Sequence, residues 1–196
     1  MTPLKLLPFV ISSSLILSGC SALGSGDDTR FYSLKPIALS STEKSPLANT
    51  SLRVGIGPVS LTRLLRRPQI VTRKSSTEIE MAEKHQWGGI LKEDLTLVMA
   101  DNFSGLLGTE NIEQFPWKLD FKPNYSVRID IEQLDGQLDG EVTLKARWRL
   151  KRGREEVRVM NSVLTSKVNG KDFNAYVAAQ SDVLFKLSQL IVKEMR

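Results

Sequence analysis

Val127-Arg128-Ile129-Asp130-Ile131-Glu132-Gln133-Leu134, followed after a short turn by Val142-Thr143-Leu144-Lys145-Ala146-Arg147-Trp148-Arg149-Leu150-Lys151, decides the fold. Val127, Ile129 and Ile131 alternate with Arg128, Asp130 and Glu132. Leu144, Ala146, Trp148 and Leu150 alternate with Lys145, Arg147, Arg149 and Lys151 in the same way. A period of two gives each strand one apolar and one charged face, as in an antiparallel sheet with one side on a core. Closing the hairpin across residues 135–141 sets Ile129 opposite Trp148, Val127 opposite Leu150, Asp130 opposite Arg147 and Glu132 opposite Lys145. It also sets Arg128 opposite Arg149, a like-charge contact that costs stability. A one-residue slip would turn an apolar face to water, whereas the like-charge contact leaves a two-residue slip open.

Downstream, Gly153 turns the chain into a third strand, Val157–Leu164. Asp172 then N-caps a C-terminal helix whose apolar stripe is Phe173, Tyr176, Val177, Val183, Leu184, Leu187 and Ile191. Upstream, Leu91, Leu95, Val98, Phe103 and Leu106 recur at helical spacing from Ile90 to Leu107, and Gly108 is a natural stop. Gln69–Arg73 and Glu78–Ala82 flank Ser75-Ser76 as a second hairpin, and His85 and Trp87 are packing or hydrogen-bonding residues where it enters the helix. Phe31–Leu34 is a first strand, and Leu52–Val59 is a strand stopped at Pro58. Ile112–Trp117 carries no decisive pattern. The expected architecture is one α/β domain, a mixed, largely antiparallel β-sheet packed with two long helices at residues 90–107 and 172–195.

Composition narrows the function. The chain has 196 residues, is 41% hydrophobic and carries a formal net charge of +5, of which Lys5 at the N-terminus supplies one. That suits a globular domain with a sizeable core and a mild preference for anionic surroundings. The basic run Lys145–Arg154 invites a nucleic-acid reading. Alternation, however, places Trp148 on the face away from the bases, where it cannot stack, and Asp130 and Glu132 lie on the neighbouring charged face. Gly55-Ile56-Gly57 lacks the third glycine of a dinucleotide loop, and Pro58 removes a backbone donor. The chain holds no Gly-x-Ser-x-Gly elbow, no Walker loop and no cluster at metal-ligand spacing, and only one histidine, His85. No enzyme, metal, cofactor or nucleic-acid partner is expected.

The N-terminus has its own logic. Lys5, the apolar run Leu6–Leu17 and small residues before a single cysteine form a secretory signal, too short to span a bilayer that needs about 20 residues. Leu17-Ser18-Gly19-Cys20 resembles the bacterial lipobox, whose cysteine is acylated and begins the mature chain. Residues 1–19 are thus read as signal peptide, 20–30 as a lipidated start and flexible tether, and 31–196 as the domain. Ser21, rather than an aspartate, directs the lipoprotein to the outer membrane.

Phe31-Tyr32-Ser33-Leu34, Gly57-Pro58-Val59, Arg67-Pro68-Gln69-Ile70-Val71 and Ala82-Glu83-Lys84-His85-Gln86-Trp87, then Trp117 and Ala146-Arg147-Trp148, follow in distinctive order. Together they resemble the PqiC-type auxiliary lipoproteins of ABC transporters. Arg66 departs from the family, which is expected to carry an acid there. The resemblance implies a periplasm-facing outer-membrane lipoprotein without ATPase activity, working beside an MCE-type system that moves lipid and docking the end of the MCE protein. It points to Arg67, Gln69 and Trp87 as contact residues, and leaves a homo-oligomer open. The rival readings are a pilotin-like envelope-assembly lipoprotein and a lipid-binding carrier.

Overall fold

The computed structural model describes residues 28–37 and 51–195. The expected signal peptide, Cys20, the tether up to residue 27 and most of the loop after Ile37 lie outside the described residues. In chain order the elements are β1 (Arg30–Tyr32), β2 (Val54–Leu61), β3 (Gln69–Arg73), β4 (Ile79–Trp87), α1 (Leu91–Leu107), β5 (Ile112–Gln114), β6 (Tyr125–Gly136), β7 (Glu141–Arg152), β8 (Glu155–Lys167) and α2 (Phe173–Lys193). The strands form two mixed sheets rather than one, a five-stranded sheet in the order β5-β2-β6-β7-β8 and a three-stranded sheet β1-β4-β3.

The deciding hairpin forms as read. Val127 pairs with Leu150, Arg128 with Arg149, Ile129 with Trp148 and Asp130 with Arg147. One pair differs: an irregularity after Ile131 brings Gln133, not Glu132, opposite Lys145. Such a bulge adds one residue to one strand, which alternation alone does not show. Trp148 is fully buried, and its Nε1 donates to the Ser162 hydroxyl at 2.9 Å, satisfying the indole inside the core.

α1 lies over β2 and β5, α2 lies over β7 and β8, and the helices pack on each other. Their stripes supply Leu95, Phe103, Leu184, Leu187 and Ile191 to the core beneath Ile56, Ile129 and Leu144. Glu93 and Asp94 favour the N-terminal end of α1, and Gly108 closes it in the left-handed conformation at φ 63°. The Asp172 carboxylate caps α2 by accepting the Ala175 N–H at 2.8 Å. No helix among the described residues is long and apolar enough to cross a membrane.

β2 does not stop at Pro58. It runs on to Leu61, with a register irregularity between Ile56 and Val59 where the missing proline N–H is tolerated. The glycines around Ile56 have a packing reason. A Cβ on Gly55 would stand 2.8 Å from the Trp117 ring, and Gly57 sits at φ 110°. Gly55 thus leaves room for an indole rather than for a phosphate.

A buried polar clasp joins the two sheets. Arg73 holds Asp135 through Nε to Oδ1 at 2.9 Å and Nη2 to Oδ2 at 3.0 Å, and the Gln133 amide adds a bond of 2.7 Å. The Tyr176 hydroxyl, on α2, donates to the Val71 carbonyl at 2.9 Å and accepts the Gly136 N–H at 2.8 Å. Burial pushes the pKa of this hydroxyl up and keeps it a neutral donor.

Candidate docking surface

The two longest family-like runs meet on one hairpin. A single 3₁₀ turn, Leu64–Arg66, is pinned by buried Leu65 and delivers Arg67 to the surface in extended conformation. The Pro68 carbonyl accepts the Trp87 N–H at 2.8 Å, and Gln69 pairs with Gln86. The three residues singled out from sequence therefore converge, but they differ in access. Arg67 is exposed, Gln69 is half-buried, and Trp87 is only 6% exposed. Trp87 supports this end of the hairpin from the core, and Arg67 and Gln69 are the groups a partner could touch.

Between those residues the ladder jumps. Gln69 pairs with Gln86 while Val71 pairs with Met81, so Ala82–His85 bulges from β4 opposite Ile70. The Gln86 side chain bonds back to the Glu83 carbonyl at 3.2 Å across the bulge. Bulges re-aim side chains beside functional sites, and this one presents Glu83 and Lys84 to solvent. Neither was singled out from the sequence. The sequence carried no signal for the bulge: the two strands read there as five residues each, whereas β4 runs for nine, to Trp87, and its end also pairs with β1.

His85 turns from the bulge into an aromatic group. Its Nδ1 lies 2.7 Å from the Tyr32 hydroxyl, and its ring stacks on Phe173 at 3.8 Å between centroids. Desolvation, then the nearby Arg30 charge, lowers its pKa. A groove of about 490 Å³ opens beside it, lined by Thr72, Arg73, Lys74, Glu80 and Phe173 among others. Its cations are committed, Arg73 to Asp135 and Lys74 to Glu80 at 3.4 Å. The arrangement offers a contoured surface rather than a reacting pair of acid and base.

An α/β domain with this hairpin at its margin has counterparts among solved structures. A crystal structure of an uncharacterized protein is 17% identical, with a TM-score of 0.65 over 75% of this chain and 95% of its own. A Xanthomonas campestris protein of the DUF330 family is 14% identical, with a TM-score of 0.64 over 83% of this chain and 92% of its own. At these identities the likeness is one of fold. No curated protein matches by sequence. The family is nevertheless shown: residues 32–192 match the ABC-type transport auxiliary lipoprotein components, and the chain belongs to that family. The resemblance drawn from the sequence motifs is thereby confirmed, as is a lipoprotein's accessory place in an ABC-type transport system.

Proposed function

We propose that the chain is acylated at Cys20, held at the periplasmic face of the outer membrane, and serves as the non-catalytic accessory of an MCE-type lipid transporter. On this reading it receives the end of the MCE protein on the hairpin surface around Arg67 and Gln69. The observation that supports it is the pairing of Gln69 with Gln86 and the bond from the Trp87 N–H to the Pro68 carbonyl, with Arg67 exposed just before this seam. A lipid anchor and short tether would raise the domain's effective concentration for a partner arriving at the same membrane, so a modest contact suffices. The test is capture of the C-terminal end of any MCE protein encoded beside this gene, supplied in excess. Arg67→Glu should weaken capture with the melting temperature unchanged, and Cys20→Ala should release the protein from outer-membrane fractions. Failure of the parent protein to capture that partner, or normal outer-membrane fractionation of Cys20→Ala, would refute the corresponding half.

A further inference from the structure

β7 carries Lys145, Arg147, Arg149 and Lys151 at every second position, on the face of the larger sheet turned away from α1 and α2. Among the described residues none of these four forms an ion pair or a side-chain hydrogen bond. Arg128, on β6, stands directly opposite Arg149. Side chains so placed have Cβ atoms about 5 Å apart, and like charges there repel. The acids nearby do not relieve this. Asp130 reaches Arg128 only at 4.0 Å and is already bonded to the Ser60 hydroxyl. Glu156 stands opposite Lys151 in the ladder, further along the strand and without an ion pair, and Glu132 sits at the bulge. The Nε of Arg149 is shut away from water without a hydrogen-bond partner. Closed to solvent, that nitrogen is closed to an added ligand as well, so an anion would reach Arg149 through its terminal Nη atoms.

A tetrahedral oxyanion suits this pair, because two guanidinium forks can share its oxygens and its charge cancels their repulsion. The next strand indicates what the anion belongs to. Val159 pairs with Arg149 and Val163 with Lys145, and they are 41% and 64% exposed. Cations beside uncovered valines match an amphiphile better than a bare carboxylate. We propose that Arg128 and Arg149, flanked by Arg147 and Lys151, seat the phosphate diester of an anionic phospholipid, with its acyl portion against Val159 and Val163. The proposal rests on this face and not on the docking reading, which is tested separately at Arg67.

The experiment follows arginine Nε–H resonances of the full chain in neutral detergent. The probes are dihexanoylphosphatidylglycerol, inorganic phosphate and a glutamate-rich peptide. The lipid should shift the Arg149 signal saturably and more tightly than phosphate does. Arg149→Gln and Arg128→Gln should each weaken lipid binding about tenfold, a charge-assisted bond's worth. Arg158→Gln should not, since Arg158 is paired with Glu194 elsewhere. Arg149→Gln should also melt no lower than the parent, because it removes a repulsion; a lower melt would mark a structural role and overturn the proposal. No saturable shift, or equal binding by Arg149→Gln, overturns it as well. Phosphate binding as tightly as the lipid removes the lipid assignment, and a response to the acidic peptide alone makes the face a protein contact instead.

Discussion

Replacing Arg73 with methionine tests the clasp that fastens the small sheet to the large one. Asp135 is 1% exposed and Arg73 25% exposed. The variant removes both bonds to the carboxylate and the Nη1 bond to the Ser76 carbonyl at 3.1 Å, leaving Asp135 the Gln133 amide. Stranding one partner of a fully buried pair costs about 3–5 kcal/mol, whereas an exposed pair contributes about 1 kcal/mol or less. This pair lies between the limits, because the carboxylate is buried, the guanidinium reaches water and one donor remains. The expected loss is about 2–3 kcal/mol, or about 5–10 °C in melting temperature for a domain of this size. Urea denaturation measures it directly. The double variant Arg73→Met/Asp135→Leu should recover most of the loss, since no charge is then stranded. A single variant within about 0.5 kcal/mol of the parent, or a double variant less stable than the single, would refute the reasoning.

Trp148→Phe should cost about 2–3 kcal/mol in the same assay, from lost ring volume and an unpaired Ser162 hydroxyl; an unchanged denaturation midpoint would contradict it. Gly55→Ala should push Trp117 off the sheet, raising acrylamide quenching of tryptophan fluorescence and costing about 1–3 kcal/mol. Unchanged quenching would show that the ring is not held there. The lowered pKa of His85 has a definite sign: around the ordinary value of about 6.5 the unfolded chain binds more protons, so stability should fall as pH drops through the folded-state pKa. An NMR titration midpoint at or above that ordinary value, or a pH slope unaltered by His85→Gln, would count against it.

The elements legible in the sequence are those with a strong period. The β6–β7 hairpin was readable in register from Val127 to Asp130 but not past the bulge that sets Gln133 opposite Lys145, and Asp172 and Gly108 marked the right helix ends, because alternation and capping act locally. What was hidden depends on partners distant in sequence. β5 has three residues and pairs in parallel with β2. The separation of two sheets follows from where β3 meets β6 through Arg73 and Asp135. At the candidate site the motif residues were found, but the burial of Trp87 was not, since an aromatic at a strand end reads alike on either face. The His85–Phe173 stack joins residues that no local pattern connects.

The two ends of the β3–β4 hairpin are secured in different ways, and this bears on where recognition can change. Val71 and Arg73 are held by Tyr176 and Asp135, while Pro68 and Trp87 are held by a backbone bond and by Trp87's burial. Between them the bulge leaves β3 with almost no ladder partner from Ala82 to His85. Exposed Glu83 therefore carries little of the fold's stability. Substitution there should alter charge and shape at the surface at a cost within the usual exposed range of about ±0.5 kcal/mol. Arg67, following a turn anchored by Leu65, is in the same position. A surface so supported can change its partner specificity without loosening the core, because the contacts that stabilise the hairpin and those that face outward belong to different residues.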